Sequence, residues 1–124
     1  MKTTGLGIDG EQIATDFLKE HGYHIICRNF ISRFGEIDII GRDGKYLAFV
    51  EVKTRKSSGN IATGFEAIDV AKQKKIIRTA NYFLLCNKQY ARSNLQPRFD
   101  CIEIDIDENT GEIRTEMLKN AFEL

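Results

Sequence analysis

The sequence predicts an α/β fold: a mixed β-sheet flanked by two main helices. Three observations carry that prediction. Two stretches repeat apolar residues at the spacing of a helix face, and several others alternate with the period of a strand. An Asp-Gly pair inside "RDGK" marks a tight hairpin, which makes its two strands antiparallel. A helix then separates that hairpin from a further strand, which permits a parallel crossover. At 124 residues the chain is expected to form one domain, 1–124, long enough to bury a core without staples.

The elements follow in order. Residues 9–21, "DGEQIATDFLKEH", read as an amphipathic helix with Asp9 as N-cap and Gly22 as its stop. Ile13, Ala14, Phe17 and Leu18 share its apolar face, and Glu11 borders that face. Residues 23–31, "YHIICRNFI", read as a strand, and 35–55 as the hairpin. Residues 56–64, "KSSGNIATG", are a loop, and 66–87 a long helix. Ile76, Ile77, Ala80, Phe83 and Leu84 form the apolar face of that helix, and Gln73 lies on the same face. "RFDCIEIDI", 98–106, is a strand, "NTG" at 109–111 a turn, and 112–124 a short strand or tail. The helices are expected one on each face of the sheet, or both largely on one.

Composition excludes several classes. Zero formal net charge removes bulk basicity as a reason to bind nucleic acid, so any such affinity is local. The start "MKTTGLGIDGEQ" has no apolar signal core, and no run approaches a membrane span. Cys27, Cys86 and Cys101 are odd in number and widely spaced, as expected of reduced thiols in a cytoplasmic protein. His21 and His24 straddle a helix-breaking glycine and read as surface or interface residues. The acidic residues of 103–108 read as a charged, aggregation-resistant strand end. Asp100, whose alternation partners are apolar, reads as a structural acceptor for Arg98 or a backbone N–H.

The chemistry concentrates in "LAFVEVKTR", 47–55. Alternation puts Phe49, Glu51 and Lys53 on one strand face. On the preceding strand Glu36, Asp38 and Ile40 share a face opposite Ile37 and Ile39, and the Asp-Gly turn can bring Asp38 alongside Glu51. Two close carboxylates repel and lose hydration on burial, a cost that a shared cation offsets. Mg²⁺ suits such a site, since it takes oxygen ligands, often one or two carboxylates, and keeps several waters. With Lys53 beside it, the set has the parts for metal-assisted phosphodiester hydrolysis. The bland alternative is a solvated strand face with cross-strand ion pairs.

With those residues in place, the chain resembles the YraN-like family of small bacterial proteins with a restriction endonuclease-like (PD-(D/E)XK) fold. The resemblance rests on "GEQIATDFL", "RNFISRFGEIDII", "FVEVKTR", "GFEAIDVAKQKK" and "RFDCIEI", with "GEIDII" followed by "FVEVKTR" its specific part. More distantly the chain is similar to archaeal Holliday junction resolvases and the tRNA-endonuclease-like superfamily. The resemblance implies a restriction endonuclease-like core. It implies catalytic roles for Asp38, Glu51, Lys53, Glu11 and Gln73, and an Mg²⁺ (or Mn²⁺) site on Asp38, Glu51 and Glu11. Ile37 stands where the wider superfamily has its motif proline.

Basic residues cluster around this hairpin. Arg28 and Arg33 flank it, Arg55 and Lys56 run off its second strand, and Lys72 and Lys75 stand on the second long helix. Their functional reading is phosphate positioning, assisted by Ser57, Ser58 and Asn60; the alternative is a solvated face. The expected function is an Mg-dependent endonuclease that binds nucleic acid, DNA in preference to RNA, selecting branched structure rather than sequence. Two rivals stand beside it: a non-catalytic nucleic-acid-binding or repair accessory protein, and a metal-free assembly protein that binds a partner. The resolvase-like branch acts as dimers, so a homodimer is a further expectation of the resemblance.

Overall fold

The computed structural model describes residues 9–57 and 68–123. Its elements are α1 (Gly10–Glu20), β1 (His24–Ser32), β2 (Gly35–Asp43), β3 (Tyr46–Ser57), α2 (Val70–Cys86), α3 (Lys88–Ala91), β4 (Gln96–Asp107) and β5 (Ile113–Phe122). The expected loop beyond 57 and residues 66–67 of the expected 66–87 helix lie outside the described residues, as do Ser58, Asn60 and the side chain of Ser57. The helix is corrected to start at Val70, capped by the Asp69 carboxylate, which accepts from the Lys72 N–H.

The five strands form one sheet in the order β1-β2-β3-β4-β5. Neighbours are antiparallel except β3 and β4, which run parallel because α2 carries the chain back between them. The predicted mixed sheet is thus present, and the question of helix placement is settled by packing. Ala14 and Leu18 of α1 pack with Val50, Val52, Ile102, Ile104 and Ile106. Ile76, Ala80 and Phe83 of α2 pack with Leu47, Phe49 and Phe99. Val50 and Phe49 are adjacent on one strand and point oppositely, so one helix covers each face. Burying a side chain such as Phe49 or Leu18 contributes about 1.5–3 kcal/mol.

Local sequence explains the boundaries of α1. The Asp9 carboxylate accepts from the Glu11 and Gln12 N–H groups, and Gly22 takes φ +87° just past the C-cap. Gly10 is needed for a different reason. A Cβ there would collide with the Thr54 hydroxyl, so glycine lets the start of α1 press against β3.

Two expectations about the end of the chain are corrected. The segment after 112 is a full strand, β5, paired with β4 from Phe99↔Phe122 to Ile106↔Ile113. Because β5 covers that side, β4 is an interior strand, and Glu103, Asp105 and Asp107 are buried instead of forming a charged exposed end. Arg55 on β3 is ion-paired with both Glu103 and Asp105, while Asp107 accepts from the Asn109 and Thr110 N–H groups and shapes the turn. Asp100 behaves as expected. It accepts from Arg98 Nε at 2.8 Å, from the Tyr23 hydroxyl at 2.8 Å and from the Asn120 N–H at 2.9 Å.

Candidate metal and nucleic-acid site

The site begins where the sheet forks. Pairing between β2 and β3 runs from Asp43↔Tyr46 to Ile39↔Val50 and stops there. Beyond it β2 stays with β1 as far as Ser32↔Gly35, and β3 stays with β4 as far as Ser57↔Asp107. Asp38 is the first residue past the fork. It is 2% exposed, and its Oδ2 accepts from the Val52 N–H at 2.8 Å. A side chain has replaced the backbone acceptor that a continued ladder would have supplied.

This turn of Asp38 also breaks the simple alternation of β2. Ile37 packs with Ile40 on the α2 side, and Ile39 alone packs on the α1 side. The expected pairing of Ile37 with Ile39 is therefore corrected. Alternation holds only while the strand is held in its ladder, and β2 has left β3 at that point.

Asp38 and Glu51 nevertheless meet. Together with Gly35, Glu36, Lys72, Lys75 and Ile76 they line a cleft of about 220 Å³ between the fork and α2. Lys72 Nζ stands 3.0 Å from Glu51 Oε1. Glu36 is the acid that sequence reasoning left out of the site. Its signal was present, since it shares the parity of Asp38 in "GEID". Carboxylates with lysines at the rim suit a hard divalent cation and an incoming phosphate. Among the described residues, no group of three or more His, Cys, Asp and Glu is arranged to hold a metal. A cation here would take its remaining positions from water or substrate, as Mg²⁺ commonly does.

The other named residues fall around this cleft in different ways. Lys53 is half-buried, one β3 alternation step beyond Glu51, and its partner in register is Glu103. It is not among the residues lining the cleft. Glu11 is 1% exposed, accepts from Arg28 Nε at 3.2 Å, and keeps a buried Oε2 with no hydrogen-bond partner among the described residues. Gln73 Nε2 donates to the Ile68 carbonyl at 2.7 Å, a bond that ties down the segment before α2. Arg28 is also bonded to Gln12, at 3.0 Å. Arg55 faces inward to Glu103 and Asp105, whereas Arg33, Lys56, Lys72 and Lys75 are exposed.

Cys101 lies beneath the cleft, opposite Glu51 in the β3–β4 register. Burial pushes its thiol up to about 11, the charges of Glu51 and Glu103 add to that, and Lys53 and Lys72 oppose it. Of these charges, Glu51 and Lys72 belong to the cleft.

Fold and cleft define a class: a small mixed α/β domain whose central sheet forks around an acidic, lysine-rimmed cleft. Residues 10–104 match the model of the uncharacterised protein family UPF0102, and the chain belongs to that family. It is 40% identical to a UPF0102 protein of Caldicellulosiruptor saccharolyticus over 98% of this chain and 100% of the relative. It is 42% identical to one of Symbiobacterium thermophilum over 94% of this chain and 95% of the relative. No helix among the described residues is long and apolar enough to cross a membrane.

Proposed function

We propose that the chain is a divalent-metal-dependent endonuclease on a restriction endonuclease-like core, cutting phosphodiester bonds in structured DNA. One observation carries the reading: Asp38 and Glu51 line one cleft at the strand fork, with Lys72 and Lys75 beside them. The hairpin, the crossover helix and the parallel strand that follows it support the core assignment.

In this reading Asp38 and Glu51 would hold Mg²⁺ or Mn²⁺, with Glu36 at the cleft wall and the remaining positions taken by water or substrate, while Glu11 acts from outside the cleft lining by holding Arg28. When bound, the ion supplies charge neutralisation and a more acidic water. The Lys72 side chain is half-exposed, so it can leave Glu51 and meet a substrate phosphate. Lys75 holds the phosphate at the rim, and Lys53, from the next step of β3, faces charge that grows on the phosphate as the bond breaks. Arg28, Arg33 and Lys56 position the backbone farther out.

A second reading has its own observation. Glu51 is paired with Lys72 and Glu11 with Arg28, so the acids also fit an ion-pair network in a metal-free assembly protein. The test is cleavage of flap, junction, single-stranded and duplex substrates in Mg²⁺, in Mn²⁺ and in EDTA, for the natural chain and Glu51→Gln. Metal-dependent cutting lost in Glu51→Gln is the expected result. No cutting, with no saturable Mn²⁺ binding, would give the second reading first place.

A further inference from the structure

A second feature lies next to the cleft, and its aromatic residues have no part in the reaction above. The β1–β2 turn is Arg33-Phe34, and it is locked from both sides. The Ser32 hydroxyl accepts from the Phe34 N–H at 3.1 Å and donates to the Gly35 carbonyl at 3.2 Å. Gly35 then lies so close to α2 that a Cβ on it would stand 3.3 Å from the Thr79 hydroxyl. The turn is thus fixed against the helix, and Phe34 is held edge-to-face with Tyr82 at 5.8 Å between ring centroids.

Between turn and helix is a hollow of about 330 Å³ with almost wholly apolar walls, lined by Arg33, Phe34, Arg78, Asn81, Tyr82 and Leu85. Leu85 is 73% exposed and Tyr82 38%. The Arg33 guanidinium already covers the Phe34 ring, 4.9 Å from its centroid. Among the described residues, no acid lines the hollow. Along α2, residues 72, 75, 78, 82 and 85 recur at helical spacing, so lysines beside the candidate cleft continue into Arg78 and then into the aromatic hollow. From Lys72 to Tyr82 the helix rises about 15 Å, the length of roughly four stacked nucleotides.

We propose that this hollow is a stacking site for an unpaired nucleobase, in a single-stranded tail whose phosphates lie along Lys72, Lys75 and Arg78. The proposal rests on the nucleic-acid reading above and narrows its substrate to DNA carrying a single-stranded tail. A rigid aromatic pair next to cations is what a single strand requires, because every base offers a π-face and every nucleotide a negative charge. A second copy of the chain fits poorly. A two-fold contact centred on the hollow would set Arg33, Arg78 and Lys75 against the same cations of the partner.

The test uses the full chain in Ca²⁺, with a blunt duplex and the same duplex bearing a single-stranded tail that contains 2-aminopurine. Binding is read by anisotropy, and stacking by the 2-aminopurine emission. The natural chain is expected to favour the tailed duplex and to quench the probe. Tyr82→Ala and Phe34→Ala should each lower the tailed-to-blunt affinity ratio, by about five- to a hundredfold, and restore emission. Tyr82→Phe keeps the ring and should keep the ratio. If Phe34→Ala melts early, the two Tyr82 variants decide alone. Equal binding of tailed and blunt duplexes, or an unchanged ratio in Tyr82→Ala, overturns the proposal while leaving the nuclease reading intact. No binding to either duplex overturns both. A Tyr82→Ala variant that loses self-association in sedimentation but keeps its ratio shows a contact between copies and also overturns it.

Discussion

Asp38 has two jobs in the structure, and two substitutions separate them. Its Oδ2 satisfies the buried Val52 N–H at the strand fork, and its charge helps make the cleft acidic. Asp38→Ala removes both. The Val52 N–H, on a residue 5% exposed, then has no acceptor, which costs about 1–3 kcal/mol. Asp38→Asn keeps an oxygen in place and exchanges a charged hydrogen bond for a neutral one, a loss of about 1 kcal/mol. The charge is lost in both. Two unit charges about 4 Å apart at an effective dielectric near 20 interact by on the order of 4 kcal/mol. One third of that surviving rehydration is still about a tenfold loss of divalent-ion affinity. Urea unfolding gives the first quantity and Mn²⁺ titration followed by electron paramagnetic resonance the second. Asp38→Asn should unfold near the natural midpoint yet bind Mn²⁺ at least tenfold more weakly, and Asp38→Ala should fail in both measurements. The reasoning is refuted if Asp38→Asn binds Mn²⁺ like the natural chain, or if Asp38→Ala is as stable as Asp38→Asn.

Further outcomes are expected elsewhere. Arg55→Ala leaves Glu103 and Asp105 charged and buried, so it should lower the urea stability by about 3–5 kcal/mol; a stable variant whose only defect is a flatter salt dependence of DNA binding would restore Arg55 as a phosphate contact. Alkaline stability should fall early. The Cys101 thiol ordinarily titrates near 9 and is held up to about 11, so its contribution, on the order of 2–3 kcal/mol, is complete below pH 9 and lost as pH rises toward 11. Tyr23, raised first by burial and then by Asp100, adds to the loss above pH 10. A urea midpoint unchanged between pH 8 and 10.5, or a Cys101→Ala variant with the same pH slope, would contradict this. Glu51→Gln removes one of the charges holding that thiol up, so the Cys101 thiolate absorbance should appear at lower pH, with the urea stability changed by less than about 1 kcal/mol because the Lys72 pair is half-exposed. An unshifted thiol titration would place Glu51 away from Cys101.

Local chemistry was enough to read much of this chain. The Asp9 cap, the Gly22 stop, the Asp-Gly hairpin and the apolar faces of α1 and α2 depend on residues within one turn or one strand, and such signals survive without tertiary context. Asp38 and Glu51 were legible as neighbours because a tight turn fixes the register of its hairpin. Other features depended on partners far along the chain. Glu103 and Asp105 look like surface acids until β5 closes one side of β4 and Arg55 is brought across from β3. Arg55 reads as a phosphate contact for the same reason, since its acids lie 48 and 50 positions away. Gln73 is a nearer case: it has helical spacing suited to a site, but its amide donates to the Ile68 carbonyl five residues before it, a bond that the helical pattern does not show. The fork itself is a tertiary event: β2 remains with β1, β3 follows β4, and Asp38 turns into the gap to satisfy Val52. A period-two pattern describes a strand held in its ladder, and the candidate site lies where the ladder ends.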